Sequence, residues 1–307
     1  MIDSEAVAVL KEWELRSPSP VEELPVEVSR ASGLVDERIT GSGPDLEDVR
    51  DRRYVSGEVT VNVREYTKDA AHRPVIIYAH GGGWTLLTID ASDRVCRELA
   101  ARTPFNVVSV DYRRAPEDPY PAALDDVWAV CEEVAAGALG YKPPGILVAG
   151  DSAGGNLAAA ACLRGRRVAP GLIAGQVLLY PALGRDYRTE SYRAFASGYR
   201  LTASAMRWFW DNYAGDEMGD EECVPLSAST MAGLPPAVIL TAGYDPLRDD
   251  GRSYAARLAE AGVDVQYVEC ATLPHGIFMM LERVAEARRA LDTLCTRVSA
   301  MAEHAGL

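Results

Sequence analysis

The chain has 307 residues, 48% of them hydrophobic and 25% charged, the proportions of an ordinary soluble globular protein with enough length for a large core. Its formal net charge of −14 argues against nucleic acid and against anionic membrane surfaces as partners, because both call for a basic face. The six cysteines stand singly, without metal-ligand spacing, and mostly in apolar patterns, so they read as core residues rather than a disulfide framework or a metal site. Residues 1–15 lack the basic and apolar regions of a secretion leader, and no apolar run reaches spanning length. A cytoplasmic protein without membrane insertion is therefore expected.

Residues 1–45 read as helical pieces broken by Pro18, Pro20 and Pro25, ending in the loop Gly41-Ser42-Gly43-Pro44. Too short to fold alone, this segment must lie on something else. Residues 58–66 alternate, with Val59, Val61 and Val63 on one side and Thr60, Asn62 and Arg64 on the other, as in a half-exposed strand. Residues 75–79 are continuously apolar, the pattern of a buried strand. His80-Gly81-Gly82-Gly83-Trp84 follows, and three glycines at a strand end leave backbone N–H groups able to approach a ligand.

Helices are expected over 90–102 and 121–136, with a strand over 106–110 between them. Ile146-Leu147-Val148-Ala149 leads into Gly150-Asp151-Ser152-Ala153-Gly154-Gly155 and then a small-residue helix. Further strands fall at 176–180, 237–241 and 263–268, and a last helix at 281–301. Such alternation predicts an α/β chain with a mostly parallel sheet covered on both faces. Residues 186–222 break the pattern: they hold no strand, yet eight aromatics lie between Tyr187 and Tyr213. They are expected to join residues 1–45 as a helical cap over a pocket, leaving 46–185 and 223–307 as the two parts of the core.

The Gly-x-Ser-x-Gly run around Ser152 fits a nucleophile on a tight strand-to-helix turn, with flanking glycines supplying angles a side chain forbids. Alone it also fits a serine that caps a helix. A serine nucleophile needs a base and an orienter. Of the four histidines, His72 lies in a polar turn, His304 near the C-terminus and His80 at the head of the glycine loop, leaving His275 in the loop after the last strand. Asp245, at the end of the strand over 237–241, is the candidate orienter; Asp249 and Asp250 read instead as the first turn of a helix. The order Ser, Asp, His is the one α/β-hydrolases use.

These runs, with Val110-Asp111-Tyr112-Arg113, Pro121-Ala122-Ala123-Leu124-Asp125-Asp126, Asp245-Pro246-Leu247-Arg248-Asp249 and His275-Gly276, make the chain resemble the hormone-sensitive lipase family of carboxylesterases, the bacterial family IV esterases. The resemblance implies an α/β-hydrolase fold, a two-part cap, and ester hydrolysis without a metal or organic cofactor. It also implies oxyanion donors at the N–H groups of Gly81, Gly82 and Ala153. Two departures stand out. Thr85-Leu86-Leu87-Thr88 replaces a further glycine and a small polar residue, and Ile277 stands where the family has an aromatic.

A narrowed acyl pocket is expected, lined by Trp84, Leu87, Asp151, Tyr180, Trp208 and Ile277, with no catalytic step for Asp151. The function expected is a serine carboxylesterase of apolar short-to-medium acyl esters. An amidase, lactonase or transacylase, a biosynthetic enzyme of altered reaction, and a ligand-binding receptor are the alternatives. The partner expected is a small-molecule ester, with homodimerisation left open.

Overall fold

The computed structural model describes residues 1–16, 19–31, 37–57, 59–68, 72–215 and 219–307; Pro18 and Glu58 lie outside them. Eight strands form one sheet: β1 (Asp48–Ser56), β2 (Val59–Thr67), β3 (Val75–Ala79), β4 (Asn106–Asp111), β5 (Ile146–Asp151), β6 (Gly175–Leu179), β7 (Ala237–Tyr244) and β8 (Val265–Pro274). Their order is β1-β2-β4-β3-β5-β6-β7-β8, antiparallel at β1–β2 and β2–β4 and parallel from β4 onward. The sheet is the mostly parallel one expected of an α/β-hydrolase fold.

The helices are α1 (Ser4–Arg16), α2 (Val26–Ala31), α3 (Glu37–Thr40), α4 (Asp93–Arg102), α5 (Ala122–Ala136), α6 (Ala153–Val168), α7 (Glu190–Ala194), α8 (Ala203–Ala214), α9 (Arg248–Glu260) and α10 (Ala285–Ala305). Side chains alternate across the strands, so each buried strand feeds two cores. Val75, Ile77, Ile146 and Val148 pack with Leu124, Leu157 and Leu258 of α5, α6 and α9. Ile76, Tyr78, Leu147 and Ala149 pack on the opposite face with Leu99 of α4 and Leu294 and Val298 of α10. A strand apolar at every position is what two covered faces require.

β1 was not expected. Its sequence, Asp-Val-Arg-Asp-Arg-Arg-Tyr-Val-Ser, has no apolar alternation, and only Tyr54 is buried. It holds its place through a nine-residue register with β2, and its charges suit a sheet edge that must not pair with another chain. The region expected as a helix from 90 begins as a 3₁₀ turn, Ile89–Ser92, before α4. Between β6 and β7, α7 and α8 are the only α-helices among the described residues, and α8 packs on a 3₁₀ turn at Val21–Glu23.

Asp250, in the first turn of α9, is buried and accepts the amides of Leu183 (3.0 Å) and Gly184 (2.9 Å), fastening the chain that leaves β6. Burial pushes its carboxyl up to about 8 against the pull of those two amides. An unfolded aspartate titrates near ~3.9, so the folded state holds the proton more tightly. That contribution is full below about pH 4 and is lost as the pH rises toward about 8. Asp250→Asn keeps an acceptor for both amides without the ionisation. Urea unfolding across this window should show a flatter loss of stability in Asp250→Asn than in the unsubstituted protein; equal slopes would exclude Asp250 as the source.

Candidate active site

Ser152 joins β5 to α6 with φ +55° and ψ −116°, a conformation non-glycine residues rarely adopt. The positive φ sits on the serine itself rather than on its flanking glycines, which serve a different need. A Cβ on Gly154 would lie 1.9 Å from the Ala79 carbonyl oxygen, and one on Gly150 would lie 2.2 Å from that of Gly154. The start of α6 is pressed against the end of β3, and only bare backbone fits. Strain of this kind stands at roughly 1–3 kcal/mol per residue. Here it is held by the Ser152 amide donating to Leu179 O (2.8 Å) and by Ala182 N donating to Ser152 O (3.1 Å).

β7 and β8 end beside this turn. Asp245, fully buried, accepts the Leu247 amide at Oδ1 (2.9 Å), and its Oδ2 lies 2.6 Å from His275 Nδ1. His275 Nε2 lies 3.0 Å from Ser152 Oγ. A serine hydroxyl bonded to an imidazole whose far nitrogen meets a buried carboxylate can lose its proton to that ring. The rivals are engaged elsewhere: Asp249 accepts the Ser191 amide, and Asp250 holds the exit of β6. His80 is sealed in the core, stacked on Tyr112 (centroids 4.2 Å apart), with Nδ1 donating to Gly81 O (2.7 Å). Burial pulls it down to about 4, so it stays neutral at physiological pH.

The structure corrects Gly81 as an oxyanion donor. Its N–H donates to Asp151 Oδ1 (3.0 Å), which also accepts the Tyr78 hydroxyl (2.9 Å). Desolvation in this corner pushes the Asp151 carboxyl upward, against those two donors and the nearby His275. Asp151 thus ties the glycine loop to the strand that carries Ser152. The next two glycines line the cavity beside Ser152, and their amides donate to no acceptor among the described residues. Ala153 opens α6, where the first amides of a helix have no intrahelical partner. The sequence showed all three glycines but not which amide Asp151, 70 residues away, takes up.

Ser152 and His275 open on a cavity of about 650 Å³, walled by α1, the 3₁₀ turn at Val21–Glu23, the glycine loop and the chain from Gly198 to Phe209. Leu87 and Asp151 lie on this wall as expected, but Trp84, Tyr180, Trp208 and Ile277 do not. Trp84 is fully buried, stacked on Tyr213 at 4.4 Å. Tyr180 is buried and meets the His275 ring edge-on at 5.0 Å. On α8 it is Phe209 that faces the cavity; Trp208, a residue earlier, is turned away by the helical period. Gly276, at φ +79°, turns the chain so that Ile277 enters the core beneath.

Gly83 and Phe209, expected only as part of the glycine loop and of the aromatic cap, stand on the wall, and Arg200 and Met279 on it were not expected at all. Arg30 of α2, also unexpected, donates to Thr85 O (2.8 Å) and Ala115 O (3.0 Å) while paired with Glu117. Each depends on contacts across tens of residues that no local pattern announces. Among the described residues no group of three or more His, Cys, Asp or Glu side chains is placed to hold a metal, and no helix is long and apolar enough to cross a membrane.

Residues 76–279 match the model of the alpha/beta hydrolase fold family. The carboxylic ester hydrolase LipN of Mycobacterium tuberculosis is 39% identical over 222 residues, covering 68% of this chain and 58% of that protein. The esterase LipI of the same organism is 43% identical over 213 residues, 68% of this chain and 67% of its own. A solved ester hydrolase from the metagenome of Lake Arreo superposes with a TM-score of 0.92 at 34% identity, covering 100% of both chains. The family model spans most of the chain and these relatives share more than a third of its residues over the matched part, so the chain belongs to the α/β hydrolase fold family, among the carboxylesterases akin to hormone-sensitive lipase.

Proposed function

We propose that the protein is a serine carboxylesterase that cleaves apolar short-to-medium acyl esters through Ser152, His275 and Asp245. The observation that carries this reading is the unbroken chain of hydrogen bonds from Asp245 through His275 to Ser152, opening on a cavity of ligand size. The naming of its relatives as esterases supports it.

In this mechanism His275 Nε2 takes the Ser152 proton as Oγ attacks the ester carbonyl. Asp245 receives the Nδ1 proton as a hydrogen bond, fixing the tautomer and stabilising the imidazolium. The negative oxygen of the tetrahedral intermediate meets the N–H groups of Gly82, Gly83 and Ala153, each donor worth ~10²–10³ in rate. His275 then protonates the leaving alcohol. Water, deprotonated by the same ring, cleaves the acyl-enzyme and restores Ser152.

Residues 1–45 and 186–222 act as a cap that shields this chemistry from water. Leu86 and Leu87 lie on the wall beside the glycine loop and limit the space for the acyl chain. Leu87 sits at φ +59°, where a branched residue is strained by about 1–2 kcal/mol.

Two outcomes test the proposal on a chain-length series of nitrophenyl esters. Ser152→Ala should lower kcat by at least about 10⁴-fold; activity that survives, or an intact protein inert on every ester, would defeat it. Leu87→Gly should move the preference toward longer acyl chains while relieving the strained backbone. An unchanged chain-length profile would remove Leu87 from the acyl pocket.

A further inference from the structure

Arg200 stands on the wall of the same cavity, in the loop that precedes α8. Its guanidinium lies over the Trp13 ring of α1, 3.7 Å from the centroid. Nη2 is 3.2 Å from the Met279 sulfur. Nη1 is buried and has no hydrogen-bond acceptor among the described residues. A Cβ built on Gly276 would lie 3.7 Å from Nε, so the side chain rests against the residue next to His275.

This environment differs from that of other arginines in the chain. Arg30, Arg113 and Arg164 each meet a carboxylate at 2.7–2.8 Å. Among the described residues Arg200 touches an indole face and a thioether, which attract a cation without neutralising it, while Asp151 and Tyr180 act on it only through space. Burial pulls its pKa down to about 10, which leaves it charged at neutral pH. Glu14, Glu22 and Asp151 also reach the wall; none is within ion-pair distance of Arg200 among the described residues, and Asp151 is held by the Tyr78 hydroxyl and the Gly81 amide. Arg200 as a residue is half-buried, but a guanidinium nitrogen shut away from water without an acceptor is costly unless something anionic completes it.

We propose that Arg200 is a substrate-binding residue for anionic esters: its guanidinium receives a carboxylate carried by the substrate while the ester carbonyl lies at Ser152. This inference rests on the esterase reading above and narrows its substrate class to apolar esters with an acidic end. The planar fork of a guanidinium suits two-point capture of a carboxylate. Trp13 and Met279 hold it in place beside the residue that follows the base.

The test compares two matched pairs. Mono-4-nitrophenyl glutarate against its methyl ester places the charge on the acyl side, and 4-acetoxybenzoate against its methyl ester places it on the alcohol side. In at least one pair kcat/KM should favour the charged ester by about tenfold or more, the factor expected of a charge-assisted hydrogen bond. Arg200→Met should bring that ratio near one, with Arg200→Lys in between. The ratio is taken within one preparation, so a misfolded fraction cancels, and a purely structural strut between α1 and the loop would not move it. Should Arg200→Met fail to fold, Arg200→Gln and Arg200→Lys carry the same comparison. If the unsubstituted protein hydrolyses the neutral esters through Ser152 but favours no charged one, or if the ratio survives loss of the guanidinium, the anionic-substrate inference falls and the esterase reading stands. Inertness toward all four esters would overturn the esterase reading, and this inference with it.

Discussion

The close approach of α6 to the end of β3 is the constraint on which the site depends. The Gly154 backbone lies where any side chain would collide with the Ala79 carbonyl. Because β3 and β5 are neighbours in the sheet, that approach sets two loops side by side: the glycine loop that leaves β3 and the serine turn that leaves β5. Asp151 then fastens them, taking up the Gly81 amide and leaving those of the next two glycines, which line the cavity, without an acceptor among the described residues. The strain at Ser152 is affordable only because two covered cores hold the strands on either side.

What could be read from the sequence followed from how local each signal is. The fully buried strands announce themselves, because two covered faces demand continuous apolar runs; Val75–Ala79 and Ile146–Ala149 are examples. The edge strand β1 stayed hidden, since a strand held only by backbone pairing needs no apolar pattern and benefits from charge. The glycine loop, Ser152, Asp245 and His275 were legible through residue type and chain order. The wall of the cavity was not. Trp84 and Trp208 are aromatic near the right loops, yet one is turned into a stack with Tyr213 and the other lies off the cavity face of α8. Arg200 and Arg30 gave no signal at all, because a guanidinium's meaning lies in its partners and these are far off in the chain.

The segments at 1–45 and 186–222 meet through interactions of unlike kinds. Arg200 lies over Trp13, and α8 packs on the 3₁₀ turn at Val21–Glu23. Arg30 anchors the first segment to the core beside the glycine loop. Phe209 presses on Gly83 so closely that a Cβ there would be 2.1 Å from its ring. The cavity roof therefore bears directly on the loop that faces Ser152, so its shape and that of the loop are coupled.

The separation of Ser152 from His275 by 123 residues has a consequence during synthesis. The serine turn is complete once β5, α6 and β6 have formed, but the imidazole follows β8, which is synthesised after all the other strands of this sheet among the described residues. Until then Ser152 is an alcohol without a base and no more reactive than any other serine. On the esterase reading proposed above, a growing or half-folded chain therefore holds no activated serine, and the site is completed only when the far edge of the sheet is laid down.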